Sequence, residues 1–428
     1  MGSHMRIRWI IGAALIFWLS IPIMTGAENP VIAIKGGRFF TGTKGTIDGG
    51  VLLIRDGKIV AVGKGVVIPT GAKVIDATSC FIMPGLIDAF TNLGTEEPGT
   101  LGSDSDEKTS PVTPQLRIID SFDPENMFIP MARKAGVTAA LVAPAVGSLI
   151  AGQCGLMSLW GDNAAAMTIK FPVAVQSSLG EAPKMRFGSK DQTPQTRMGE
   201  AALLRQTFID VQNYLQQISD YEKKDRESKA KKAEGKEPEG EKPTPPPADL
   251  KLQALVPVLK GEIPFLVTAN RLDDILTILR IADEFGLKII LNGGADAHRL
   301  KDTLAAKRIP VLLKPEEAAA RLTVETQMAV PENAALLFRA GVKIAFQTGS
   351  IKDAAGLVRQ AQMAVANGLP REEGLRALTV NPAEIFGVGG DLGSLEKGKV
   401  ANLTIFEADP LLSPTRVKTV IIRGVIAR

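Results

Sequence analysis

The residues able to do hydrolytic or metal chemistry are few, and their spacing is sparse. Only two histidines occur, and His4 sits in Gly2-Ser3-His4-Met5, which reads as a vector scar, so His298 alone remains. A histidine-based metal site needs several imidazoles in fixed geometry and cannot be assembled from one. His298 follows Asp296 at a strand-to-helix turn; it reads either as a general base or, more plainly, as a surface histidine at a helix start. Glu181, in Leu179-Gly180-Glu181-Ala182-Pro183-Lys184, is a candidate base or else a loop carboxylate paired with Lys184. Asp88 is a further candidate base. Asn92, Asn270 and Asn292 are neutral amides that could donate to an oxyanion or hold a polar ligand. Asp88, Glu181 and Asp296 could gather around a hard cation such as magnesium, with Lys170 or Lys184 nearby.

The elements that must position these residues can be traced along the chain. Arg6 and Arg8, the apolar run Trp9 to Leu19 and the small residues Thr25-Gly26-Ala27 have the parts of a secretory signal peptide. Residues 1–27 are therefore expected to be scar plus leader, and the mature protein to be periplasmic or secreted, with no membrane anchor after cleavage. From Val31 to about Asp76, short strands are broken by glycine; Val51–Arg55, Asp56-Gly57 and Lys58–Val62 predict a hairpin with a primed turn. Strand patterns return at Ala401–Phe406 and Thr419–Ile426, so both chain ends are expected to build one sandwich, residues 28–80 and 388–428.

Between them, strand and helix alternate. Strands are expected at Gly136–Val142, Ile263–Thr268, Lys288–Leu291, Ile309–Leu313 and Val342–Phe346. A helix is expected from Leu272 to Phe285, with Leu272, Ile275, Leu276, Leu279 and Ala282 on its inward face, and another from about Asp353 to Ala366. Repeated βα units imply a parallel sheet covered on both faces, and a barrel over residues 81–387 fits the length. Gly147, Gly152 and Gly155 around Gln153 match no phosphate-loop spacing and are expected in a turn after the second barrel strand. After a helix from Thr196 to about Lys224, the charged and then proline-rich stretch 222–248 is expected to be an exposed loop.

Composition narrows the function classes. Formal net charge is +4 and 5% of residues are aromatic, which does not suit a nucleic-acid binder. Cys80 and Cys154 are the only cysteines; they form no disulfide framework and read as two small buried residues.

Ile34-Lys35-Gly36-Gly37-Arg38, Ile54–Gly63, Met83-Pro84-Gly85-Leu86-Ile87-Asp88, Asn381-Pro382-Ala383 and Gly393–Lys399 together resemble the amidohydrolase superfamily. The imidazolonepropionase-like and exported bacterial members are the most similar, and the resemblance spans nearly everything after the leader. It implies a distorted (β/α)8 barrel carrying a β-sandwich built from both chain ends. It also implies hydrolysis of C–N bonds by zinc or iron held at the C-terminal ends of barrel strands. By that resemblance the ligand positions should read Asp-x-His-x-His, His, His and Asp. Here they are Phe90 and Asn92 after Asp88, then Thr268 or Asn270, then Gly293, and finally Gly349 after Thr348. No cofactor is therefore expected.

Two functions follow. One is a non-catalytic protein whose barrel mouth, through Asn92, Asn270, Arg271, Asn292 and Thr348, binds a small polar molecule or a peptide end. Such a protein could equally be the partner subunit of a histidine-complete homologue, and an oligomer stays open. The other is a hydrolase acting on C–N bonds without metal, using Glu181 or Asp88 as base.

Overall fold

The computed structural model describes residues 30–96, 103–105, 107–235, 242–320, 323–412 and 416–427. The expected scar and leader, residues 1–27, and residues 236–241 of the insertion lie outside the described residues.

Strands β1 (Ile32–Lys35), β2 (Arg38–Phe40), β3 (Thr46–Asp48), β4 (Val51–Arg55), β5 (Lys58–Gly63), β6 (Lys73–Asp76) and β7 (Phe81–Pro84) divide between two sheets. The hairpin β4–β5 turns at Asp56 and Gly57, both at positive φ, the geometry whose twist matches the flanking strands. The barrel follows as β8 (Leu86–Thr91), β9 (Val137–Val142), β10 (Ile150–Ser158), β11 (Thr168–Ser178), β12 (Phe265–Ala269), β13 (Ile289–Gly293), β14 (Val311–Leu313) and β15 (Ile344–Phe346). These lie side by side in sequence order. The chain then returns as β16 (Leu403–Phe406), β17 (Val417–Ile422) and β18 (Val425–Ile426).

Both chain ends do share a sheet. Its order is β18-β17-β16-β7-β2-β3, and β5-β4-β1-β6 forms the smaller sheet. Ile34, Phe39, Leu52, Leu403, Ile405 and Ile421 are buried together as the core of this unit. Two details differ from expectation. Strand β7 pairs with β16 and β2, so the first part of the sandwich runs to Pro84 rather than stopping at residue 80. The Thr419–Ile426 run is a hairpin, because Arg423 and Gly424 both take positive φ and fold β18 back on β17.

Leu266, Ile290, Leu312 and Ala345 pack together inside the barrel, while Val267, Leu291, Val311 and Phe346 belong to the outer core. Burial on both faces explains why these strands read as continuous apolar runs. Helix Leu272–Phe285 has the expected bounds but a rotated face. Asp274, Ile278 and Ile281 are buried with Ile275, Leu279 and Ala282, and Leu276 is exposed; this face buries Ile278 and Ile281 in place of Leu276, and Arg197 pairs with the buried Asp274.

The barrel is not uniformly parallel. Strand β10 runs antiparallel to both β9 and β11. Gly152, Gln153 and Gly155 lie within β10, not in the expected turn. A Cβ on Gly152 would stand 2.7 Å from the Leu116 carbonyl oxygen, so glycine here permits the segment 112–117 to lie against β10, bridging Arg117 to Gln153.

The insertion also departs from expectation. Helix Arg197–Ala233 continues through the charged stretch that composition assigned to a loop from residue 222. Lys, Glu, Ala and Arg are good helix formers, and Asp225–Lys229 (2.7 Å) and Glu222–Arg226 (4.0 Å) pair one turn apart. Burial along this helix ends at Tyr214, so its distal half is solvated, as its charge requires. Cys80 and Cys154 are both buried and unpaired, one in the sandwich core and one inside the barrel. Among the described residues, no helix is long and apolar enough to cross a membrane.

Candidate functional site

Eight strands leave one seam, between β15 and β8, and residues expected to line a site close it. Gly349 N–H donates to the Phe90 carbonyl oxygen at 3.0 Å. Asp88 accepts from Thr348 N at 3.0 Å, from Thr348 Oγ1 at 2.5 Å and from Phe90 N at 3.3 Å. Asn92 Oδ1 accepts from Ile351 N at 3.0 Å, and its Nδ2 donates to Glu96 Oε1, which also accepts from Ser105 Oγ at 2.9 Å. Phe90 itself is buried in the barrel core.

A second bridge crosses the strand ends. Asn292 Nδ2 donates to Thr268 Oγ1 at 2.9 Å, and Gln347 Nε2 donates to Asn292 Oδ1 at 2.6 Å. Amides serve well here because each can donate to one neighbouring strand and accept from another. Of the expected ligand-binding residues, Thr348, Asn292 and Asn92 are thus buried and engaged with neighbouring residues. Asn270 and Arg271 keep partial solvent access. Asn270 Oδ1 accepts from Ala295 N at 3.3 Å, and Arg271 forks onto Asp273 at 2.9 and 3.0 Å.

Burial pushes the Asp88 carboxyl up to about 6, against the pull of its Thr348 and Phe90 hydrogen bonds and of the Lys314 charge. Lys314, the residue after β14, was not singled out by sequence reasoning. Its Nζ pairs with Asp353 at 2.9 Å and lies beside Gly349. Strand parity could have found it, since Leu312 points inward and residue 314 repeats that direction.

Glu181 stands on the rim, at the start of helix Glu181–Gly188. Its Oε1 accepts from Lys184 Nζ and from Arg197 NH1, both at 2.8 Å. These partners, Lys184 first, hold its carboxyl below the usual range, so it remains ionised and is poorly suited to act as a base near neutrality. The pairing with Lys184 is one of the two alternatives that the sequence offers; the pairing with Arg197 is additional. Arg197 also grips the buried Asp274 at 2.8 and 3.0 Å. Behind it, Glu325 Oε1 accepts from Glu181 N at 2.7 Å, and the fully buried Glu200 accepts from Gly180 N at 3.1 Å. His298 lies in the short 3-10 turn Ala297–Leu300, half-buried rather than on the surface, and burial lowers its pKa. Asp296 caps Leu272 N at 3.0 Å and pairs with Arg299 at 3.7 Å.

The donor set does not fit a resident zinc or iron. Asp88, the one carboxylate within the strands at this end, already takes three hydrogen bonds, Glu96 beyond β8 is bonded to Asn92 and Ser105, and the rest are neutral amides and hydroxyls bonded to one another. Such metals need anionic or imidazole donors with free lone pairs. Among the described residues, no three His, Cys, Asp or Glu side chains are grouped to hold a metal. Asp88, Glu181 and Asp296 therefore do not form the magnesium cluster considered above.

An amidohydrolase from Thermotoga maritima MSB8 superposes with a TM-score of 0.82 at 33% identity, covering 93% of this chain and 99% of that one. The model of the amidohydrolase family matches residues 272–427. The chain belongs to the amidohydrolase family. Amidohydrolase tasK of Hapsidospora irregularis is 24% identical over 362 residues, 80% of this chain. A D-hydantoinase of Geobacillus stearothermophilus is 43% identical over 74 residues. The chain spans 36% of the first of these curated relatives and 15% of the second.

Proposed function

We propose that this protein is a non-catalytic member of its family, exported, and acting by binding rather than by hydrolysis. The observation that carries this reading is the consumption of the strand-end polar groups. Asp88, Asn92, Thr268, Asn292 and Thr348 hold the barrel shut instead of presenting donors to a metal or a substrate. The rim supports a protein partner as the occupant. Met185, Met198, Val324 and Met328 are all exposed, and they stand on three segments tied together by the Glu181–Arg197–Glu325 contacts. Flexible exposed methionines favour docking. A histidine-complete amidohydrolase homologue is the partner this reading names. A small polar molecule or peptide end could still reach Asn270 and Arg271.

Metal analysis and turnover test the proposal. The purified protein is expected to retain no stoichiometric zinc or iron and to leave hydantoins, lactams and dipeptides at their uncatalysed rate. One tightly held metal per chain would overturn the reading. Turnover abolished by Glu181→Gln would instead establish a working hydrolase of unusual mechanism.

A further inference from the structure

The opposite end of the barrel carries a second feature, independent of the mouth. Pro264, Lys288 and Pro310 immediately precede β12, β13 and β14, and around them opens a cavity of about 600 Å³. That lies within the roughly 300–1,000 Å³ usual for small-molecule sites. Val173, Ile290 and Phe386 line its apolar part, with Leu279 and Ala282 on one wall.

Its rim is charged unevenly. Lys307 is paired with Asp283, and Glu384 with Lys343, so those charges cancel. Lys170, Lys288 and Arg308 have no carboxylate partner among the described residues; the sole offset is the unpaired Glu262. Lys170 Nζ donates to the Phe386 carbonyl oxygen at 2.8 Å, which fixes one cation directly over the apolar lining. Arg308 sits at φ 54°, a backbone conformation uncommon for residues with a Cβ, and this turn brings its side chain to the lip. Three cations without a carboxylate partner, opposed only by Glu262, stand above an apolar cavity and form a site with two requirements. The occupant needs an apolar body to displace water from the aliphatic lining and an anionic head to meet the cations.

The geometry points to a binding site at the N-terminal face of the barrel for a small amphipathic organic anion, a carboxylate or sulfonate on a flat ring or short aliphatic chain. The test uses the full chain and 8-anilinonaphthalene-1-sulfonate as fluorescent probe, displaced by decanoate and, separately, by 1-decanol. Saturable binding of one probe per chain is expected. In the exposed double variant Lys288→Glu/Arg308→Glu, probe and decanoate should both weaken about tenfold or more. The alcohol, which lacks the charge, should displace equally well from both proteins. Circular dichroism of the variant checks that the barrel is intact. Absence of saturable binding, or affinities for the two anions that the double substitution leaves unchanged, would overturn the assignment. Neither result bears on metal content or turnover at the mouth.

Discussion

Replacing Asp88 by alanine is expected to lower stability by about 3 kcal/mol, whereas Asp88→Asn is expected to match or exceed the parent protein at pH 8. The alanine leaves Thr348 N, Thr348 Oγ1 and Phe90 N without their acceptor in the buried seam. Each buried donor so abandoned costs about 1–3 kcal/mol, partly offset by removing a buried charge. Asparagine keeps the acceptor Oδ1, and its Nδ2 can donate to Thr348 Oγ1. It also mimics the form the fold prefers. The carboxyl rises from 3.8 to about 6 on folding, so the protonated acid is favoured in the native state. Its contribution is fully present below pH 3.8 and is lost as pH rises through about 6. At pH 8 the ionised carboxylate carries a cost of about 3 kcal/mol, from a shift of roughly two units. The asparagine should therefore gain on the parent protein between pH 4 and pH 8. Urea unfolding of the three proteins at both pH values measures this. Equal midpoints for alanine and parent at pH 8 would mean that the seam does not depend on Asp88.

The same residue shows where sequence reasoning reached and where it stopped. Periodicity locates most strands of the barrel, and strand patterns at both chain ends indicate the composite sandwich, because those signals are local. Sequence alone puts Asp88, Asn92 and Thr348 at strand ends but suggests a base for Asp88 and ligand contacts for Asn92 and Thr348. Their true partners lie about 260 positions away along the chain, and only closure of the barrel brings β15 beside β8. The antiparallel β10 was hidden for a related reason. An apolar strand reads alike in either direction, and Gly152 reads as a turn residue, whereas its role is to let the segment 112–117 lie against β10. In the insertion, composition correctly indicated solvation, but solvation does not prevent helix when ion pairs recur at one-turn spacing. Arg197 went unnoticed since nothing local marks an arginine that serves carboxylates from three other segments.

That arginine supplies the second large effect. Arg197→Ala is expected to destabilise the fold by about 3–5 kcal/mol at pH 8. It leaves Asp274, Glu181, Glu200 and Glu325 around one remaining cation, Lys184. Glu200 is the sensitive member. It is fully buried, its Oε1 has no partner, and burial pushes its carboxyl up to about 7. A raised folded pKa means its contribution is complete below pH 4.5 and disappears as pH rises through about 7. Burial likewise raises Glu325. At pH 5 Glu200 is already protonated and adds no charge to the cluster when Arg197 is lost, so the penalty should shrink. At pH 8 Glu200 is largely ionised, and the cluster carries its charge as well. Adding Glu200→Gln to the alanine variant removes one of the crowded charges while keeping an acceptor for Gly180 N. It should recover part of the loss at pH 8 and little at pH 5. Arg197→Lys keeps the charge without the fork that grips both Asp274 oxygens, and should fall between parent and alanine. Urea midpoints of the four proteins at pH 5 and pH 8 decide the matter. A penalty equal at both pH values, and indifferent to Glu200, would mean that Arg197 contributes packing alone and that the rim carboxylates do not repel one another.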